Sequence, residues 1–114
     1  MGELKLVEIL DSTEFEVAYS DFKEKPKTPF IAYLLSNTSS FMADNIEYLK
    51  IGEYRIELYT DEKDEVAQKK LEQAFEANEI IYEKDEVYIE SERLFLTTYD
   101  IQWIISEEES NEPE

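Results

Sequence analysis

A chain of 114 residues with 42% hydrophobic and 13% aromatic residues has the apolar content for one domain with its own core, which excludes a wholly disordered chain. Its 29 acidic against 11 basic residues give a net charge of −18, which argues against binding nucleic-acid phosphates, since that draws on Lys and Arg. Without Cys or His there is no disulfide framework, no common zinc ligand set and no Cys–His or Ser–His pair for nucleophilic catalysis.

The N-terminal "ELKLVEIL" (Glu3 to Leu10) puts Leu6, Ile9 and Leu10 on one face and predicts a short helix ended by "DST". "FEVAY" (Phe15 to Tyr19) alternates as a strand does, and the polar "KEKPKTP" (Lys23 to Pro29) predicts a loop. "FIAYLL" (Phe30 to Leu35) is apolar on both faces, as a central strand is. "SNTSS" (Ser36 to Ser40) has the composition of a turn, and the predicted loop continues to Asn45. "IEYLK" and "EYRIELYT" (Glu53 to Thr60) flank Ile51-Gly52, which reads as a hairpin; Tyr54, Ile56 and Leu58 share its core side.

A helix is predicted from about Glu62 to Ala77, with Ala67, Leu71, Ala74 and Phe75 as its apolar stripe. Strand character returns over Ile80 to Glu90 and again over "RLFLTTYDIQWII" (Arg93 to Ile105), where Phe95, Thr97, Tyr99, Ile101, Trp103 and Ile105 alternate onto one face. The expected architecture is α+β, in the order α-β-β-β-α-β-β. It is a mostly antiparallel sheet of about five strands with two helices on one face. The domain is expected to span residues 1–105, followed by a disordered acidic tail over 106–114. That terminus carries five acids from Glu107 onward; removing their charge from −18 still leaves −13 on the body. No run is apolar enough to cross a membrane and the start is unlike a secretion signal, so a soluble protein without a membrane partner is expected.

The densest acidic cluster is "YTDEKDE" (Tyr59 to Glu65). Taken as a calcium loop beginning at Asp61, it puts Lys63 where an oxygen ligand is required and Val66 where the sharp turn needs Gly. Helix capping by Asp61 or Asp64 explains the same residues more simply. With Gly2 and Gly52 as its two glycines, the chain has no phosphate-cradling loop. No catalytic residue, metal site or cofactor is therefore expected, and the chain is not read as an enzyme. The predicted loop from Ser36 to Asn45 shows Phe41 and Met42 among polar residues, which makes these two candidates for contact with a neighbouring subunit.

The runs "PFIAYLL", "FMADNIEYLKIGEYRIELYTDEKDEVAQKKLEQAF" and "IIYEKDEVYIESERLFLTTYDIQW" resemble the tail-terminator (tail-to-head joining) proteins of siphophages and prophages of Gram-positive bacteria. The likeness covers about two thirds of the chain, from Pro29 to Trp103, and is most specific in "IELYTDEKD" and "YEKDEVYIESE". Glu65 stands where such sequences are expected to have Pro, an exchange the first turn of a helix accepts. The resemblance implies a virion structural protein at the head–tail junction, made in the host cytoplasm. Such a subunit forms a ring of six on the tail tube, contacts the tail-tube protein and the head connector protein, and lets DNA pass without sequence-specific binding. Two other readings are carried with it: an acidic DNA-mimic or anti-restriction inhibitor, and another neck component of the same kind of phage.

Overall fold

The computed structural model describes residues 2–20, 22–43 and 47–109, with segments 41–43, 47–49 and 106–109 by backbone alone. Helix α1 (Glu3–Asp11) is followed by strands β1 (Glu16–Tyr19), β2 (Phe30–Ala43) and β3 (Glu47–Thr60), helix α2 (Glu65–Ala77), and strands β4 (Tyr82–Ile89) and β5 (Leu94–Glu109). This is the α+β order expected from the sequence. The sheet order is β1-β2-β3-β5-β4, with β1 parallel to β2 and every other pair antiparallel.

Both helices lie on one face. Leu6, Ile9 and Leu10 of α1 and Ala67, Leu71 and Phe75 of α2 are buried against Ile31, Tyr33, Tyr54, Ile56, Leu58, Tyr99 and Ile101. The alternation in β3 and β5 selects that face: each strand sends every second side chain to the helices, and Arg55 and Asp100 between them remain half-exposed. The opposite face is covered at one end, where Phe22 meets Phe30 edge-on at 5.4 Å and Phe30 stacks on Tyr59 at 4.9 Å.

Helix α2 ends in a Schellman arrangement. Glu79 adopts φ 59, its N–H reaches the Glu76 carbonyl at 3.1 Å, and the Ile80 N–H reaches the Phe75 carbonyl at 2.9 Å. Ile80 and Phe75 are both in the core cluster, so the cap turns the chain back onto the helix it closes.

Three local expectations are corrected. "SNTSS" is not a turn: β2 runs through it to Ala43, in register with β3 from Asn37↔Glu53 to Ala43↔Glu47. The ladder supplied by β3 overrides a composition that favours turns, and Ser and Thr are tolerated on an exposed strand. Residues 44 and 45 of the predicted loop lie outside the described residues. Nor is Ile51-Gly52 a hairpin, because β3 is continuous across it. Gly52 is there for room: a Cβ would come within 2.9 Å of Leu35 Cδ1 and Tyr54 Cε2 and closer still to Ile105 Cδ1. Finally, residues 106–109, expected in the tail, continue β5 opposite β3 as far as Glu47↔Glu109, so the ordered domain extends past residue 105. Residues 110–114 lie outside the described residues.

Candidate functional site

The long strands make an arm. Over β2 residues 30–33, β1 holds the outer edge, and over β5 residues 94–101, β4 holds the other. Beyond those points, among the described residues, β2, β3 and β5 continue as three strands with no further strand on either side. Fourteen residues at ~3.3 Å each span ~46 Å, which accounts for most of the molecule's 52 Å long axis.

The arm begins where the pairing slips on both sides of β3. One shift lies between Leu35 and Asn37, the other between Lys50 and Ile51. At the first, the Ser36 hydroxyl donates to the Glu53 carbonyl at 2.9 Å, using an acceptor beside the disrupted ladder. Such irregularities bend and twist a sheet locally, and here they separate the helix-covered body from the arm.

The first turn of α1 fastens the arm's root to all three strands. Glu3 Oε1 accepts from the Tyr54 hydroxyl (β3) at 2.8 Å, and its Oε2 faces the Tyr33 hydroxyl (β2) at 3.4 Å. The Gly2 carbonyl accepts from Trp103 Nε1 (β5) at 2.8 Å. Gly2 has φ 89, a conformation glycine adopts at low cost, and its Cβ position is 3.2 Å from the Ile105 carbonyl oxygen. Burial, and then the Glu3 carboxylate, push the Tyr54 phenol well above its ordinary pKa; Tyr33 is raised for the same reasons in the same order. Both stay protonated and able to donate to Glu3. The outer edge of β2 is closed two residues past its last pair with β1 by the Tyr19 hydroxyl, which accepts from the Leu35 N–H at 3.1 Å.

The residues singled out in the sequence are not brought together. Phe41 and Met42 lie in β2 near the arm's end, opposite Leu49 and Tyr48, as part of a strand and not a loop. Asp64 is the N-cap of α2, its Oδ1 accepting from the Ala67 N–H at 3.0 Å. Asp61 does something else: its Oδ1 accepts from the Thr28 hydroxyl at 2.8 Å and ties the 22–29 loop to the end of β3. Among the described residues, no group of three or more potential metal-ligating side chains is assembled.

A second polar constellation, missed in the sequence, joins α2 to β4 and β5. Gln68 is buried; its Nε2 donates to Glu86 at 3.1 Å and to the buried Thr97 hydroxyl at 3.0 Å, and its Oε1 accepts from Lys84 at 3.0 Å. Glu72 accepts from Tyr99 at 2.8 Å and pairs with Lys84 at 2.7 Å. Burial and the bond to Glu72 hold the Tyr99 phenol far above its usual range. For Lys84, burial acts to lower the pKa but the Glu72 hydrogen bond and charge outweigh it. The bond from Lys63, opposed by partial burial, draws Glu86 down. Every buried polar side-chain atom described has a partner, so this is a clamp that fixes the helix on the edge strand.

The arm differs from the rest of the molecule in charge. Thr28 to Ala43 is a run of 16 residues without a charged side chain, in a chain of which 35% is charged. At that share β2 alone would hold about five charges, so an uncharged strand of 14 residues is a property of this surface. No protein-family model and no curated protein matches the chain.

Proposed function

We propose that this chain is a structural subunit of a phage virion, a tail terminator that caps the tail tube at the head–tail junction and joins it to the head connector. The observation that carries the reading is the arm: three strands extended beyond the helix-covered body, with two open edges. That shape suits a subunit whose work is to associate. The resemblance over Pro29 to Trp103 supplies the identity of the assembly. In this reading the subunit acts through its surfaces and not by catalysis, and its negative charge keeps a DNA-conducting passage non-adhesive.

The acidic-mimic reading is weaker on the described surface. Lys63 and Lys84 neutralise Glu86 and Glu72 on the α2–β4 side, and Lys25 and Arg55 pair with Glu92 and Asp100. A duplex mimic needs an uninterrupted carboxylate row in place of such pairs.

Electron microscopy of tails assembled without the protein tests the proposal. Overlong tubes that fail to join heads are expected, together with rings on tube ends when the purified protein is added back. Tails of normal length in the deletion, with no ring on added-back tubes, would falsify it. A protein found on heads but not on tail ends would identify another neck component instead.

A further inference from the structure

We infer that the arm's two open edges pair with each other between copies: the distal half of β5 in one copy takes the distal half of β2 of the next as an added parallel strand. Copies then join head to tail through a continuous sheet.

Both edges are open over the same length of chain. Among the described residues, β5 from Gln102 to Glu109 and β2 from Ser36 to Ala43 have β3 as their one strand neighbour, eight residues in each case. Each outer edge carries a row of backbone N–H and C=O groups able to template another strand. Natural edges are usually blunted by Lys, Pro or inward charges, but β2 has no charged residue and no proline in 14 positions. Tyr19 closes the edge at Leu35, so the open segment begins at Ser36.

Direction and charge select the occupant. Strands β2 and β5 are both antiparallel to β3, so they are parallel to each other, and both run from body to arm tip. Adding β2 of a second copy to β5 of the first therefore keeps both bodies at the same end. Each step repeats one rotation, a heterologous contact that can close into a ring. Pairing β5 with β5 of a second copy would bring two "EEE" runs (Glu107 to Glu109) into one contact, where their like charges repel within a Debye length. The uncharged β2 edge carries no such penalty.

The β5 edge also has a floor for an incoming strand. An open groove of about 1010 Å³ extends across the strands from Ser36, Glu53 and Arg55 and reaches the β5 edge at Gln102, where Ile80 and Ile81 add apolar lining. Ile81 is 88% exposed in the single chain, and a strand lying along β5 would cover it. That the joined copies close into a ring on a tail tube rests on the function proposed above; the edge pairing does not.

Cysteine cross-linking tests the pairing, because the chain has no cysteine of its own. Asn37 and Gln102 both pair with Glu53 from opposite sides. They are thus two strand spacings apart, ~9.5 Å, beyond the ~7 Å Cα limit for a disulfide within one chain. The double variants Asn37→Cys/Gln102→Cys and Ser39→Cys/Gln102→Cys, oxidised over a concentration series, are expected to give disulfide-linked dimers, trimers and higher multimers. The three single variants should stay monomeric on a non-reducing gel. Dimers from Gln102→Cys alone would show β5–β5 pairing and overturn the inference. So would the absence of interchain disulfides in both double variants, whether the protein sediments as monomer or oligomer. Rings by electron microscopy without the cross-linked ladder sink the edge pairing and leave the ring. A ladder of open-ended multimers that never closes does the reverse.

Discussion

Replacing Gln68 by Leu should cost about 2–3 kcal/mol, most of it through a residue that is not mutated. The carboxamide makes three side-chain hydrogen bonds, to Glu86, Thr97 and Lys84. Lys84 keeps Glu72 at 2.7 Å and Glu86 keeps Lys63 at 3.0 Å, and both partners retain water contact, so those two losses are small. The Thr97 hydroxyl is fully buried and loses its donor outright, a penalty of ~1–3 kcal/mol for an orphaned group. For a chain of this size 1 kcal/mol corresponds to ~4 °C in Tm, so thermal unfolding by circular dichroism should show a fall of about 8–12 °C. Thr97→Val alone should cost less, ~1 kcal/mol, because Gln68 keeps its other partners. The double variant is the decisive one. With both polar groups gone no orphan remains, and its cost should fall below the sum of the singles by ~1 kcal/mol or more. Additivity within ~0.3 kcal/mol would refute the claim that the clamp's value lies in mutual satisfaction.

Asp64→Ala should lower stability by ~1 kcal/mol through loss of the N-cap, and Asp61→Ala by clearly less, since it removes an exposed bond to Thr28; equal effects in urea unfolding would contradict the capping assignment. Glu79→Gly should stabilise by ~0.5–1 kcal/mol, because a left-handed residue at φ 59 is relieved and an acid leaves the negative end of α2; a lower Tm would count against both reasons. Glu3→Ala should cost ~1–2 kcal/mol and raise hydrogen exchange in β2 and β3 at the arm root, by freeing the Tyr54 hydroxyl; unchanged exchange there would mean α1 does not brace the arm. Tyr33, Tyr54, Tyr82 and Tyr99 all have raised pKa values, so the folded state holds their protons more tightly than the unfolded one. Their contribution is intact below the ordinary tyrosine value of ~10 and is lost as pH climbs from there towards the folded values. Tyr54 and Tyr99, the two raised furthest, should therefore ionise only together with unfolding, followed by tyrosinate absorbance and circular dichroism; a single titration of all eight tyrosines near ~10 with the fold intact would rule this out.

What could be read from the sequence follows from where the local signal and the tertiary ladder agree. Helix α2 declares itself through Ala67, Leu71 and Phe75, because helical periodicity is local chemistry; its cap is legible only as Asp61 or Asp64, since the Thr28 hydroxyl that engages Asp61 is 33 residues away. The alternation of Tyr54, Ile56 and Leu58 marks the core face for the same reason. The arm does not declare itself. Ser36 to Ser40 has turn composition, and its strand conformation is imposed by Glu53 to Lys50 across the ladder, a partner no window of local sequence contains. Gly52 reads as a turn residue until the crowding by Leu35, Tyr54 and Ile105 is known. Glu3 reads as an ordinary first-turn acid; its partners Tyr33 and Tyr54 are 30 and 51 residues away. One signal was present in the sequence: the 16-residue charge-free run is countable without a structure, and it marks the strand whose edge is open.

That run also bears on how so acidic a protein can associate at all. At −18, two copies repel wherever their surfaces approach, yet at physiological ionic strength the repulsion reaches only about 8 Å. It therefore acts locally, and penalises a contact by the charges immediately flanking it. A contact through β4, with "YEKDEVYI" (Tyr82 to Ile89), would bring three acids and one base against a like surface. A contact through β2 brings none. The body's charge thus disfavours the many unproductive approaches and leaves one edge unpenalised, a form of discrimination that needs no strong attraction at the favoured site. It follows that cross-linking through Asn37 and Gln102 should depend on salt less steeply than non-specific self-association does. Raising ionic strength should increase off-target contacts more than the disulfide ladder. A ladder that grows with salt as fast as general aggregation would show that the uncharged edge confers no selectivity.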